Sequence, residues 1–487
     1  MGESSLTALD FTVEVDAPPD LAFDATRVDA LVTVRARAVE DHGARDPVPS
    51  AEVLIMDRSL SMAGLGKLDE AKRAICAAVD TLREGTLLGI VAGHHAASMV
   101  YPPDGGLVRV DGAHKQKAKA HVAAQFADGG TAISRWLECA RRLFDTSTAP
   151  GTVRHAVLYT DGKDEHESPE ELDAALAACT DQFTCDVRGL GDDWNYRELH
   201  RIGQALHGTA EAVVDIADLT RDFVRLMEQA QRVVVPRLYL GLRLNERLDL
   251  GFVQQTHPVQ ADLTSQRHHQ GGEIHIPLGA WSPGARQYQI SLRFAAGTLP
   301  VDEKLRAARI TLHTEPHDGQ GRLPCTTAQA LVVRRRSNPA FEHPVPTYRT
   351  RVQTEQELGM AMRACADAHE QKDSERADRE LRLALGLAEE LGDERRLHLL
   401  KAVADTAADG RAIVRRGVTR GQMQRLGLDS TRTGPPPTDA IDQDAAQPSR
   451  ASRSHCPHCS AALVSRNAQY CEHCGRHVDD QGAGTTR

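Results

Sequence analysis

The stretch 53–61, VLIMDRSLS, closes an apolar run with Asp57, Ser59 and Ser61, three oxygen-bearing side chains at alternate positions. Two further oxygen groups stand in comparable contexts. Thr131 lies in DGGTAIS, a glycine-rich loop that opens a helix, and Asp161 lies in LYTDGKDEH, at the end of the apolar run HAVLYT (155–160). Asp57, Ser59, Ser61, Thr131 and Asp161 together supply two carboxylates and three hydroxyls. Hard oxygen donors in this mix and number suit Mg²⁺ or Mn²⁺, ions that keep several waters of their own. Any one of these residues alone reads as a cap or a turn residue. Five in this order on these elements read as a metal site.

A second constellation lies near the C-terminus. CPHC (456–459) and CEHCG (471–475) set Cys456, Cys459, Cys471 and Cys474 as two C-x₂-C pairs separated by eleven residues. Paired knuckles of this spacing hold one tetrahedral Zn²⁺ through four thiolates. The surrounding tail is too short and polar to build a core, so the metal would supply its folding energy. A redox dithiol of the thioredoxin kind needs a βαβ context that is absent there. The nearby His455, His458, His473 and His477 are surplus to a zinc already satisfied by four sulfurs. Arg450, Arg453, Arg466 and Arg476 would support nucleic-acid contact, but Glu472, Asp479 and Asp480 offset them, and protein contact fits the segment better.

Other patterns carry less. AGLGK (63–67) lacks the spacing of a phosphate-binding loop. HHQGGEIH (268–275) reads as a polar hairpin turn in preference to a metal site. No H-E-x-x-H, G-x-S-x-G or kinase signature occurs, and the chain reads as a non-enzyme. In LGLDSTRTG (426–434), Ser430, Thr431 and Thr433 are expected to be accessible beside Arg432. Phosphate on Thr431 or Thr433 would make an anionic docking point for a phosphothreonine reader, against the plainer reading of a helix running into a linker.

These side chains need elements to position them. From Glu52 to about Arg232, short apolar strands (53–56, 87–91, 155–160, 183–187 and 211–214) alternate with amphipathic helices. Leu68, Ala71, Ile75, Val79 and Leu82 mark one helix; Ile133, Trp136, Leu137, Ala140 and Phe144 mark another. A third opens at Ser168-Pro169-Glu170-Glu171, an N-cap, a proline at the first helical position and a capping-box glutamate. Such alternation predicts a doubly wound, Rossmann-like α/β domain with a mostly parallel sheet, whose ligands bind beyond the carboxyl ends of the strands. From about Val233 to Pro346 strand patterns at 238–244, 273–278, 287–294, 308–313 and 330–335 follow with no helix between them, which predicts a β-sandwich. The alternating runs 11–15 and 32–38 have no helices of their own and would complete it. The chain therefore divides into N-terminal strands at 1–49, the α/β domain at 50–232, the β-sandwich at 233–346, a helical hairpin or bundle at 352–410, a tail and flexible linker at 411–453, and a zinc ribbon at 454–478.

The Asp-x-Ser-x-Ser, Gly-Gly-Thr and Thr-Asp-Gly series resembles the von Willebrand factor A domain with its metal-ion-dependent adhesion site, over about residues 50–232. The resemblance implies that Ser59, Ser61 and Thr131 bind the ion directly, with Asp57 and Asp161 direct or acting through water. It also implies a cation that seeks an acidic side chain, Asp or Glu, from a protein partner. Leu60 departs from the family, which often has glycine or another small residue there. The C-terminal segment resembles the short zinc ribbons that end many bacterial signalling proteins. The full order of domains resembles actinobacterial proteins encoded beside Ser/Thr kinases, phosphatases and forkhead-associated proteins, which implies a phospho-signalling assembly. Two other readings stay open: an accessory subunit of an AAA+ ATPase machine of the chelatase type, and nucleic-acid binding through the ribbon.

A chain of 487 residues has room for about three domains. Its net charge of −10 argues against a general binder of nucleic acid or anionic membrane. No apolar run approaches the ~20 residues that span a bilayer, and MGESSLTALDFTVEV lacks the basic and apolar regions of a secretory signal. Of ten cysteines, six are scattered singly. Cys76, Cys139 and Cys179 fall on apolar helix faces and read as buried free thiols. A cytoplasmic location follows as the expectation.

Overall fold

The computed structural model describes residues 9–39, 48–162, 166–213, 215–315, 321–338 and 347–434. Strand β1 (Leu9–Asp16) alternates buried and exposed side chains, as FTVEV implies, and pairs antiparallel with β2 (Arg27–Ala38).

The chain then enters the α/β domain. Its elements are β3 (Ser50–Asp57), α1 (Lys67–Thr81), β4 (Leu87–Gly93), β5 (Ala97–Tyr101), α2 (Gly112–Ala123), α3 (Ile133–Ser147), β6 (Val153–Thr160), α4 (Pro169–Cys179), β7 (Thr184–Leu190), α5 (Tyr196–Ala205), β8 (Ala210–Val213) and α6 (Leu219–Ala230). The strand order is β8-β7-β6-β3-β4-β5. All pairs in that order are parallel except β4 with β5, and the short strand Val108–Arg109 adds a second antiparallel pairing to β4. Every residue of β3 is buried because it is central and covered on both faces. One face packs against α1 and α6 through Ile75, Val79, Phe223 and Met227. The other packs against α3, α4 and α5 through Trp136, Phe144, Leu176 and Ile202. Ser168 and Glu171 form the expected capping box on α4. Cys179 is buried, whereas Cys76 and Cys139 are only half-buried, a correction to the expectation that all three lie in the core.

At the start of these strands, His155 bridges two carboxylates, with Nδ1 2.7 Å from Glu52 Oε2 and Nε2 3.0 Å from Asp186 Oδ2. Burial opposes the imidazolium, but Glu52 and Asp186 outweigh it and raise His155 to about 10.

The next region contributes β9 (Val235–Leu244), β10 (Asp249–His257), β11 (His268–Gln270), β12 (Glu273–Trp281), β13 (Gly284–Arg293), β14 (Lys304–Thr314) and β15 (Gln329–Arg335). One sheet runs β1-β2-β13-β10 and ends on the short strand Ala261–Asp262. The other runs β11-β12-β9-β14-β15 and ends on Asp20–Leu21, with Leu323–Pro324 paired to β14. Phe11, Val32 and Ile290 from the first sheet share one core with Leu240, Trp281 and Leu312 from the second. The α/β domain is thus inserted between β2 and β9 of a two-sheet domain.

Helices α7 (Thr347–Glu370), α8 (Ser374–Leu391) and α9 (Glu394–Val403) follow, packed through Leu358, Met362, Leu381 and Leu400. Residues 411–433 depart from the expected tail. They form a short strand, Ala412–Val414, and helix α10 (Arg420–Asp429), capped by Thr419 and Gln422. Met423 and Leu426 enter the helical core and Leu428 enters the core of the α/β domain, so burial on two sides holds the segment down. Beyond it, the Thr431 carbonyl accepts from Gln260 N–H at 2.7 Å, and Thr433 N–H donates to the Pro258 carbonyl at 3.0 Å. The linker at 435–453 and the four cysteines at 456, 459, 471 and 474 lie outside the described residues. Among the described residues no helix is long and apolar enough to cross a membrane.

Candidate metal centre

Strand β3 delivers Asp57 to the carboxyl end of the sheet, where Asp57 and Asp161 are both fully buried. Asp57 accepts from the Ser59 N–H on Oδ1 at 2.8 Å and from the Thr160 hydroxyl on Oδ2 at 2.6 Å. Ser59 Oγ lies 2.9 Å from Ser61 Oγ, and Ser61 donates to Asp161 Oδ1 at 2.6 Å. The other oxygen of Asp161 takes the Lys67 ammonium at 2.6 Å.

Thr131 reaches the same place by a different route. Gly93, the last residue of β4, leaves room for α3: a Cβ there would lie 2.4 Å from the Trp136 ring. Trp136 Nε1 donates to the His94 carbonyl at 2.6 Å, which pins α3 to the end of β4. The Leu60 N–H donates to the Gly129 carbonyl at 2.9 Å and ties the two loops together. Ser134 N–H donates to Glu167 Oε1 at 2.8 Å and joins the start of α3 to the loop after β6. Gly162 sits among the hydroxyls; a Cβ on it would stand 3.4 Å from Thr131 Oγ1 and 3.5 Å from Ser61 Oγ.

All five oxygen-bearing side chains expected from the sequence are therefore brought together. Ser59, Ser61, Thr131 and Gly162 line an open cleft of about 400 Å³ with His166, and the two carboxylates lie beneath. The donor set fits a hard divalent ion: Ser59, Ser61 and Thr131 would hold it, with Asp57 and Asp161 behind them. Burial raises Asp57 to about 6 in spite of the hydrogen bonds from Thr160 and Ser59, with Asp161 adding to the rise. A cation at this spot would relieve that burden. Leu60, the departure from the family pattern, is 64% exposed and lines the cleft beside the hydroxyls.

Three contributors carry no signal of their own in the sequence. Lys67 lies in AGLGK, whose spacing fits no phosphate-binding loop. Thr160 immediately precedes Asp161 and reads as the end of a strand. Arg420 from α10 lines the cleft, 3.8 Å from Asp193, on a segment expected to be tail. One expectation is corrected outright. Ser430 and Thr431 are buried at 0% and 4%, because the segment pairs with residues 258–260 and Ser430 receives Arg363 Nη1 at 3.0 Å. Thr433 is half-buried and donates to the Thr256 carbonyl at 2.9 Å.

The family model of the von Willebrand factor type A domain matches residues 51–212. A solved structure described as von Willebrand factor type A from Catenulispora acidiphila is 30% identical, with a TM-score of 0.81, and the match covers 89% of this chain and 99% of that one. The ArnB paralog VWA2 from Sulfolobus acidocaldarius shares the fold at 14% identity and a TM-score of 0.53, over 86% of this chain and 98% of its own. No curated protein matches the chain.

Proposed function

The chain belongs to the von Willebrand factor type A family, and from that premise we propose that it is a Mg²⁺- or Mn²⁺-dependent protein-binding scaffold, not an enzyme. Domains of this family commonly serve as protein-interaction scaffolds and often bind a divalent metal. The observation that carries the reading is the convergence of Asp57, Ser59, Ser61, Thr131 and Asp161 at one cleft, with Lys67 on Asp161. Two carboxylates and one ammonium leave a local charge of −2 + 1 = −1, so a divalent ion would give the cleft a net +1. A site of that sign seeks a further anion, and an Asp or Glu side chain from a partner protein is the natural donor to a position otherwise filled by water.

The test is a pull-down from the source cell in Mg²⁺ and in EDTA, with wild-type protein, Asp57→Ala and Thr131→Ala. Asp57→Ala and EDTA should abolish the same interactions. Thr131→Ala should weaken partner binding more than metal binding. Partners retained in EDTA and by Asp57→Ala would overturn the reading. A kinase, phosphatase or forkhead-associated protein among the metal-dependent partners would set the scaffold in phospho-signalling, and an AAA+ ATPase would set it in a chelatase-type machine. The C-terminal cysteines complete the proposal: elemental analysis of protein purified without chelator should find zinc that the double variant Cys456→Ser, Cys471→Ser lacks.

A further inference from the structure

His275 and His313 come from β12 and β14, the two neighbours of β9 in the seven-stranded sheet. The register sets Gly241 of β9 opposite His275 on one side and Thr311 on the other. The position between the two strands therefore has no side chain. His313, two residues beyond Thr311 and on the same face, leans into that space: a Cβ on Gly241 would lie 2.6 Å from its Cε1 and 2.7 Å from its Nδ1. The two imidazoles meet across the strand with centroids 4.7 Å apart. Glu273, two residues before His275, brings Oε2 to 3.5 Å from His275 Nε2 and 3.7 Å from His313 Nε2.

These separations exceed the ~2.7–3.2 Å of an N–H···O hydrogen bond. They come close to the roughly 3.3–3.5 Å between donors that each sit about 2.0–2.2 Å from one tetrahedral zinc ion. Both rings are buried, at 4% and 8% exposure.

We propose that Glu273, His275 and His313 form a second metal centre, on the two-sheet domain, for a borderline transition ion with Zn²⁺ the first choice. Two imidazoles and a carboxylate are a zinc donor set, whereas the hard ions suited to Asp57 and its neighbours prefer oxygen alone. The second oxygen of Glu273 faces Arg243 Nε at 3.4 Å, which orients the carboxylate. Three protein ligands leave one position for water.

The experiment loads the full chain with Zn²⁺, removes the excess by gel filtration at micromolar free zinc, and compares bound zinc in wild type, His313→Gln and Glu273→Gln. The cysteine tail and the oxygen cluster are common to all three proteins, so their zinc cancels in the difference. Each variant should hold one zinc fewer than wild type, and in each the affinity at this centre should fall by more than about tenfold. Zinc should also raise the unfolding temperature of wild type more than that of either variant. Glu273→Gln changes a side chain at the margin of the cluster and decides the matter if His313→Gln folds poorly. Wild-type zinc content in Glu273→Gln, with the same zinc-induced rise in unfolding temperature, would overturn the assignment.

Discussion

Replacing Asp57 by Asn distinguishes a metal seat from a purely structural contact, because the two require opposite signs for stability in the absence of metal. Burial carries the Asp57 carboxyl from 3.8 to about 6, against the hydrogen bonds it accepts. A carboxyl raised on folding binds its proton more tightly in the folded chain than in the unfolded one. Stability therefore falls as the pH climbs from about 4 to about 6, and the whole cost is present above that window. At roughly 1.4 kcal/mol per pKa unit, the cost is about 3 kcal/mol. Asn keeps the shape of the side chain: its oxygen accepts from Ser59 N–H, and its amide donates to Thr160 Oγ1, which turns its own proton to the Gly162 carbonyl 3.3 Å away. In EDTA at pH 7.5 the variant should unfold a few degrees above wild type, and the gap should close near pH 4. Added Mg²⁺ should raise the wild-type transition and leave the variant nearly unmoved. Thermal unfolding scans in EDTA and in Mg²⁺ measure all of this. A variant less stable than wild type in EDTA at pH 7.5, or one that gains as much from Mg²⁺, would refute the reasoning.

Lys67→Met should strip Asp161 of its buried cation, lower stability in EDTA by about 3 kcal/mol, and tighten Mg²⁺ binding, as followed by calorimetric titration. His155→Leu should cost about 3–5 kcal/mol at pH 7, since it leaves Glu52 and Asp186 buried without their cation. The imidazolium of His155 contributes fully below its unfolded value near 6.5 and is lost as the pH rises through about 10, so chemical denaturation curves of wild type and variant should converge toward that pH. Gly359→Val puts a Cβ where the Ser430 carbonyl stands, 2.5 Å away, and should detach the segment after α10. Limited trypsin digestion should then cut at Arg432 several-fold faster, and a Ser/Thr kinase should label Thr431 in this variant well before it does so in wild type.

The sequence made legible what repeats locally. The all-buried strand ending in Asp57, the capping box at Ser168 and the helical stripes at 68–82 and 133–144 each carry their signal within one element. What it concealed was of two kinds. Strand β10 and helix α2 are weakly patterned: β10 has bulged pairing with β13, and only Ala118 and Val122 of α2 are buried. Helix α10 was concealed for another reason. Its apolar residues serve two cores at once, Met423 and Leu426 in one and Leu428 in the other, so no single stripe marks a face.

The same distinction divides the two metal centres. The oxygen cluster could be read because each ligand ends or opens an element, and in a doubly wound sheet such positions share one edge whatever the loops between them. Glu273 and His275 were equally visible, but two residues in a hairpin do not make a site. The third, His313, lies 38 positions beyond His275, and nothing in its own surroundings distinguishes it from an ordinary strand residue. What brings it in is the missing side chain of Gly241 on the strand between. A contact that depends on strand order, register and an absent Cβ has no signature along the chain. It exists only once the sheet is assembled, so the zinc content of Glu273→Gln tests something that no motif search could have posed.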